Sequence, residues 1–309
     1  NPLFVSPSNH KYDIQHYDHI DPHYGKIVVD EGELLQSGTT DNSKATRYVN
    51  RVTNRENLEA SNAFFAELVR EIHARGMKVI LDGVFNHCGS FNKWLDREKI
   101  YHANGGYEDG AFLSKESPYR SFFGFRDENG WPDNTSYEGW WDYDTLPKLN
   151  YEGSKELYDY ILGIAAKWVS APYYVDGWRL DVAADLGHSS EFNHKFWRDF
   201  RKAVKTANPE ALILAEHYGD PKDWLEKGDQ WDTVMNYDAF MEPLTWFLTG
   251  MEKHSDEYIP EKKGKVDDFE GAMRHFMASF QTSQLQCAMN ELSNHDHSRF
   301  LTRTNGTAG

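Results

Sequence analysis

The sequence predicts an α/β chain folded as a (β/α)8 TIM barrel, and three observations point there. Helical apolar stripes alternate with short apolar runs, acidic residues stand at the C-terminal ends of those runs, and no glycine-rich phosphate turn opens any helix. Alternating helix and strand implies right-handed βαβ units and a parallel sheet, which a barrel and an open doubly wound sheet both satisfy. Asp82, Asp181, Glu216 and, just after its strand, Asp296 mark the rim where barrel enzymes build sites from several strands. The absence of a G-x-G-x-x-G or P-loop turn removes the main support for a nucleotide-binding sheet.

In chain order, Phe64, Phe65, Leu68, Val69 and Ile72 form a helical stripe, and Gly76 is placed to stop that helix. Met77–Asp82 follows as a short buried strand. Ser154 is positioned to cap a helix carrying Leu157, Ile161, Ile164 and Trp168, with Pro172 ending it before the strand Tyr174–Asp181. Phe192, Phe196, Phe200 and Val204 mark the next helix, Pro209 punctuates it, and Ala211–Glu216 is the next strand. Val234–Asp238 reads as a further strand. Phe269, Met273, Met277 and Phe280 build a helix leading to a strand near Leu285–Glu291.

Asp181 and Glu216 are about one βα repeat apart, whereas Asp82 and Asp181 are much farther apart. The excess predicts an insertion at residues 91–150, a stretch rich in Gly, Asp, Asn and aromatics without sustained periodicity. The expected division is therefore barrel at 1–90, a small inserted domain at 91–150 overhanging the site, and barrel again at 151–309. Residues 28–57, with Gly38–Ser43, read as an additional long loop.

Composition bounds the function. With 309 residues the chain is long enough to bury a core without staples, and Cys88 and Cys287 are too few for a disulfide framework or a four-cysteine zinc site. A net charge of −16 repels phosphate backbones and anionic membranes, which argues against both as partners. No run approaches the ~18–20 apolar residues of a spanning helix, so a soluble protein is expected, its compartment open. Aromatics make up 15% of the chain, and tryptophan and tyrosine offer flat faces with a polar edge that suit sugars.

Side chains alternate along a strand, so Arg179 and Asp181 point the same way. The guanidinium keeps the neighbouring carboxylate ionised, the state a nucleophile needs. Glu216 follows the apolar run Leu212–Ala215, whose desolvation would raise its pKa toward that of a general acid. Two carboxyls in divergent environments are the minimum kit for glycoside hydrolysis. Asp296, with His295 and His87, could hold sugar hydroxyls and stabilise positive charge at the anomeric carbon. A lone Arg-x-Asp is more often a structural ion pair, but four acidic residues in barrel register are harder to dismiss. The sequence His295-Asp-His297 formally resembles a metal pair, and sugar contacts explain it better.

Ile80-Leu-Asp-Gly-Val-Phe-Asn-His87, Gly177-Trp-Arg-Leu-Asp-Val-Ala183, Leu214-Ala-Glu216 and Ser293-Asn-His-Asp296 resemble, in order, the four signature regions of the α-amylase family of glycoside hydrolases, family 13. Leu146-Pro-Lys-Leu-Asn150 resembles a fifth, in the form typical of the neopullulanase, cyclomaltodextrinase and maltogenic amylase branch. Asn1-Pro-Leu-Phe4 and Ser8-Asn-His-Lys-Tyr-Asp13 match that branch just after its second barrel strand.

The resemblance implies Asp181 as nucleophile, Glu216 as acid/base and Asp296 as transition-state stabiliser. Arg179, His87 and His295 would contact the sugar at the cleavage site, Tyr12 would stack beneath it, Asp82 would support the site from below, and Arg299 would reach the next glucosyl unit. His217 and Tyr218 stand where the branch usually has an aliphatic residue and Trp, which makes Tyr218 the acceptor-side platform. Ala184-Asp185 replaces the Lys-His of secreted α-amylases, which argues against their acceptor subsite and one calcium ligand. Asn86 matches a family calcium ligand, although this branch often lacks the ion; no cofactor is required. By this mapping the chain runs from the exit of strand two to strand seven, so an excerpt of a longer polypeptide is expected, because an open barrel would expose two unpaired edges.

The expected activity is retaining hydrolysis of α-1,4 and also α-1,6 glucosidic bonds in cyclodextrins, pullulan, starch or malto-oligosaccharides. Two alternatives stand beside it: a non-catalytic amylase-like module that binds carbohydrate or a partner, and a metal-dependent barrel hydrolase using His87, Asp296 and His297. Branch members often pair, so a homo-oligomer is compatible with the resemblance.

Overall fold

The computed structural model describes residues 1–35, 38, 45–104 and 106–304. The chain forms two compact units, Asn1–Leu212 and Ile213–Gly309.

In the first unit, β1 (Phe4–Val5) and β2 (His16–Ile20) pair antiparallel. The segment expected as a long loop at 28–57 instead contains α1 (Thr46–Thr53), whose helical turns bury Val49 and Val52. Of that stretch, residues 36–37 and 39–44 lie outside the described residues. Asn54 closes α1 and opens α2 (Arg55–His73), its side chain accepting from the Glu56 and Asn57 amides. Leu58, Phe65 and Val69 of α2 are buried, but Phe64 and Leu68 are exposed. Each residue advances about 100° round a helix, so these two form a second stripe beside the buried one. Gly76 takes a left-handed φ of +73°, and the Gly76 and Met77 amides return to the His73 and Ile72 carbonyls, ending the helix as expected.

β3 (Ile80–Gly83) pairs parallel with β4 (Gly177–Leu180), in a register that sets Asp82 opposite Arg179. Between them α3 (Lys155–Val169) buries the expected Leu157, Ile161, Ile164 and Trp168, and Ser154 caps it by accepting from the Leu157 amide at 3.3 Å. α4 (Ser190–Ala207) buries Phe196, Phe200 and Val204. Phe4 meets Trp168 at 5.3 Å and Phe85 meets Trp178 at 5.4 Å, so the core behind β3 and β4 is largely aromatic. Gly177 is required by close approach, since a Cβ there would lie 2.2 Å from the Leu212 carbonyl oxygen. Among the described residues of 91–150, regular structure is limited to three 3-10 turns and isolated antiparallel bridges.

In the second unit, β5 (Leu212–Ala215) pairs parallel with β6 (Thr233–Val234). The short helix α5 (Lys222–Leu225) lies between them. The strand expected over Val234–Asp238 stops at Val234. The Tyr237 amide turns back to the Met235 carbonyl, and Tyr237–Met241 forms a π-helix that runs into α6 (Glu242–Thr249). α7 (Val266–Met277) carries the expected Phe269, Met273 and Met277 but ends before Phe280, and it buries none of its side chains. The strand expected near Leu285–Glu291 is reduced to one parallel bridge, Met235 to Met289, because α8 (Thr282–Gln286) takes its start through a Gln281–Gln284 capping box. α9 (Phe300–Arg303) follows.

Candidate active site

The first cluster grows from the pairing of β3 with β4. Strand alternation sends Trp178 and Leu180 into the core and turns Arg179 and Asp181 to the other face, beside Asp82 on the neighbouring strand. Arg179 Nη1 donates to Asp82 Oδ1 at 2.9 Å and to Asp181 Oδ1 at 2.8 Å. All three side chains are buried, so the guanidinium holds two carboxylates where water screens them little. Val182, directly after Asp181, adopts a left-handed φ of +36°, a costly conformation for a β-branched residue.

Tyr12 joins the same network. Its hydroxyl donates to Asp82 Oδ2 at 2.8 Å, and its ring lies 5.6 Å from the Arg179 guanidinium. Burial, reinforced by the Asp82 carboxylate, pushes the phenol far above its ordinary range, so it stays a proton donor. The loop carrying it is pinned: Ser6 and Ser8 hydroxyls donate to Asp13, and Lys11 Nζ donates to the buried Asp21 at 2.9 Å.

His87 is buried beyond β3. Burial brings its imidazole down to about 3, against an opposing contribution from the Tyr12 backbone, so the ring is neutral. Its Nε2 makes no hydrogen bond among the described residues, an orphan of the kind a substrate hydroxyl satisfies. Trp140 stacks on this ring at 4.8 Å with planes 6° apart, and its Nε1 donates to Asp185 at 2.9 Å.

Asn86, the residue that matched a calcium ligand, accepts from Lys148 Nζ at 2.9 Å, and the same ammonium donates to the Asp185 carbonyl at 2.8 Å. These residues do not fit a divalent ion, because a lysine cation already holds both oxygens and would repel a second charge. Among the described residues, no three His, Cys, Asp or Glu side chains gather as a metal site.

In the second unit Glu216 follows β5 and is buried. Tyr218, half exposed, stacks on Tyr237 at 4.4 Å with planes 5° apart, and Lys253 Nζ lies 5.5 Å from both rings. Asn294 organises the segment that follows: its Nδ2 donates to the Tyr237 hydroxyl at 2.9 Å and its Oδ1 accepts from the Asp296 amide at 3.0 Å. His295 and Asp296 are exposed and 3.3 Å apart. Arg299 is exposed at the start of α9. His297 turns away to Asn294 and His254, and burial first, then His254, bring it down to about 4.

The structure thus gathers Tyr12, Asp82, Arg179 and Asp181 in one network in the first unit, with His87 under Trp140. In the second unit it places Glu216 at the end of β5 and Asp296 beside His295. Sequence reasoning missed Trp140, Tyr237, Lys253 and His254. The Trp140-Trp141 pair was visible as an aromatic doublet, but the surrounding stretch has no period to say what it packs against.

Comparison with known proteins identifies the family. The model of the alpha amylase catalytic domain matches residues 60–308. The cyclomaltodextrinase of Geobacillus thermopakistaniensis strain MAS1 is 32% identical over 311 residues, covering 99% of this chain and 40% of that protein. Neopullulanase 2 of Thermoactinomyces vulgaris is 31% identical over 307 residues, covering 99% of this chain and 41% of that protein. Among solved structures, Ttha1563 from Thermus thermophilus superposes with a TM-score of 0.72 at 26% identity, over 100% of this chain and 54% of that one. The chain spans about two fifths of the length of the curated relatives it matches. With a family model running through residues 60–308, a span that includes every one of the strand-end acids, the chain belongs to the alpha-amylase catalytic-domain family.

Proposed function

We propose that the protein is a retaining glycoside hydrolase of α-glucans, cleaving α-1,4 and also α-1,6 glucosidic bonds. The observation that carries the reading is the Arg179 guanidinium held between Asp82 and Asp181 on paired strands, beneath the Tyr12 ring. It sets a positive charge 2.8 Å from Asp181 Oδ1, the setting that favours a carboxylate nucleophile. The names of the relatives, cyclomaltodextrinase and neopullulanase, favour cyclodextrins and pullulan as substrates beside starch and malto-oligosaccharides. A (β/α)8 barrel of residues 1–90 and 151–309 with an inserted domain at 91–150 is the architecture this reading assumes.

In this mechanism Asp181 attacks the anomeric carbon while Glu216 donates its proton to the departing glycosidic oxygen, leaving a β-glucosyl ester on Asp181. Asp296, with His295, stabilises the positive charge that develops on the sugar ring, and the neutral His87 offers its unoccupied Nε2 to a hydroxyl. Glu216 then takes a proton from water, which attacks the ester and releases Asp181. Tyr12 stacks beneath the ring, Asp82 orients Arg179, Tyr218 stacks on the acceptor side, and Arg299 reaches the neighbouring glucosyl unit. Two in-line displacements retain the α configuration and require about 5–5.5 Å between the Asp181 and Glu216 carboxyls.

The test is proton NMR of the first product released from maltoheptaose, β-cyclodextrin and pullulan. Initial α-anomer supports the reading, and initial β-anomer, or no cleavage of any of the three, overturns it. Asp181→Asn is expected to lower kcat at least about 10³-fold, since residues acting as one catalytic unit fail together.

A further inference from the structure

Among the described residues, Trp141 is the most exposed of the large hydrophobic side chains, at 74%. Its backbone sits in the left-handed region (φ 51°, ψ 35°), and Asp142 follows it there at φ 61°. Two successive non-glycine residues in that region are costly, and such strain persists only where the surroundings impose it. Here they do. The Trp140 amide donates to the Leu146 carbonyl at 2.9 Å, Asp142 to Gly139 at 3.1 Å, Tyr143 to Trp140 at 3.0 Å and Leu146 to Tyr143 at 3.1 Å. A Cβ on Gly139 would lie 2.2 Å from the Tyr143 carbonyl oxygen, so the loop closes tightly on a glycine. An indole is therefore held out in solvent by a rigid, strained loop.

Its ring stacks on Trp140, 4.9 Å away with planes 28° apart, and Trp140 in turn stacks on His87. The rings His87, Trp140 and Trp141 form a ladder from a buried, orphaned imidazole to an open indole face. Asp142, the next residue, is exposed and lies 3.6 Å from the Arg126 guanidinium. A flat, open apolar face suits the C–H face of a sugar ring, whose hydroxyls stay in water.

We propose that Trp141 is a stacking platform for a glucosyl residue of the α-glucan remote from the bond being cleaved, with Trp140 as the residue that positions it against His87. The inference rests on the reading of the protein as an α-glucan hydrolase and adds that productive binding of long chains depends on this loop.

The test compares Trp141→Gly, Trp141→Phe and the unmodified protein on maltoheptaose and on a p-nitrophenyl α-glucoside, which has a single glucosyl unit. Glycine relieves the left-handed backbone, so Trp141→Gly is expected to melt no lower than the unmodified protein. It is also expected to raise KM for maltoheptaose roughly tenfold, the size of one lost aromatic contact, with kcat and the short substrate unchanged. Trp141→Phe should recover most of that affinity. Equal losses on both substrates, a lowered melting temperature with them, or no change on maltoheptaose would each overturn the inference while leaving hydrolysis itself established. If the unmodified protein cleaves no α-glucan, the underlying reading falls and the platform with it.

Discussion

Arg179 joins the buried carboxylates of Asp82 and Asp181, so its removal takes away a positive charge where water screens little. Breaking a buried ion pair from one side costs about 3–5 kcal/mol, and Arg179→Met is expected to lower the free energy of unfolding by that order in a denaturant titration. A change under about 1 kcal/mol would show that the three groups are solvated in solution. This triad was legible in advance, because strand alternation alone places residues 179 and 181 on one face. The contacts of Trp140 and Lys148 were not. They are made by irregular chain, where no period relates sequence separation to neighbourhood, so the Asn86 side chain could be matched to a metal ligand while its actual partner, a lysine far along the chain, stayed hidden.

Among the elements, helices with a strong stripe and a capping residue were the readable ones. Ser154 accepts from the Leu157 amide at the start of α3, and the same hydroxyl receives a hydrogen bond from Ser121 at 3.0 Å. Ser154→Ala is expected to cost about 1 kcal/mol of stability, the usual worth of an N-cap, and Ser154→Gly only a few tenths. The segment after β6 shows where pattern reading fails. A short apolar run such as Val234-Met235 followed by polar residues is compatible with strand or helix by periodicity alone. The decision is made just past the Met235–Met289 bridge, where the Tyr237 amide turns back to the Met235 carbonyl and the π-turn starts. That π-turn is what brings Tyr237 under Tyr218, so the misread element is also one that shapes the candidate site.

Over the whole molecule, burial holds several histidines neutral: His87 at about 3, His19 and His297 at about 4, and His16 well below its ordinary value. A histidine whose folded pKa lies below its unfolded value of about 6.5 binds its proton only on unfolding as pH falls through the interval between the two. Stability is therefore retained above about pH 6.5 and lost progressively below it, by up to about 1.4 kcal/mol per pH unit for each proton taken up. Denaturant midpoints at pH 7, 6 and 5 are expected to fall in that order, and a flat profile would mean these rings are accessible to protons in the folded state. The alternation of helices with parallel strands was legible at this scale because apolar stripes and strand-end acids recur along the chain. The second unit was less so, since α7 buries none of its side chains and its stripe therefore says little about what it packs against.

The central claim is that Asp181 is the nucleophile in a reaction for which Glu216 supplies the proton. A fluorinated glucosyl fluoride, whose good leaving group lets the first step proceed while fluorine slows the second, tests this directly when the treated protein is digested and its peptides are weighed. The account predicts one glucosyl adduct, on the peptide carrying Asp181 and lost in Asp181→Asn. An adduct on another carboxylate, or continued turnover with none at any time, would contradict it.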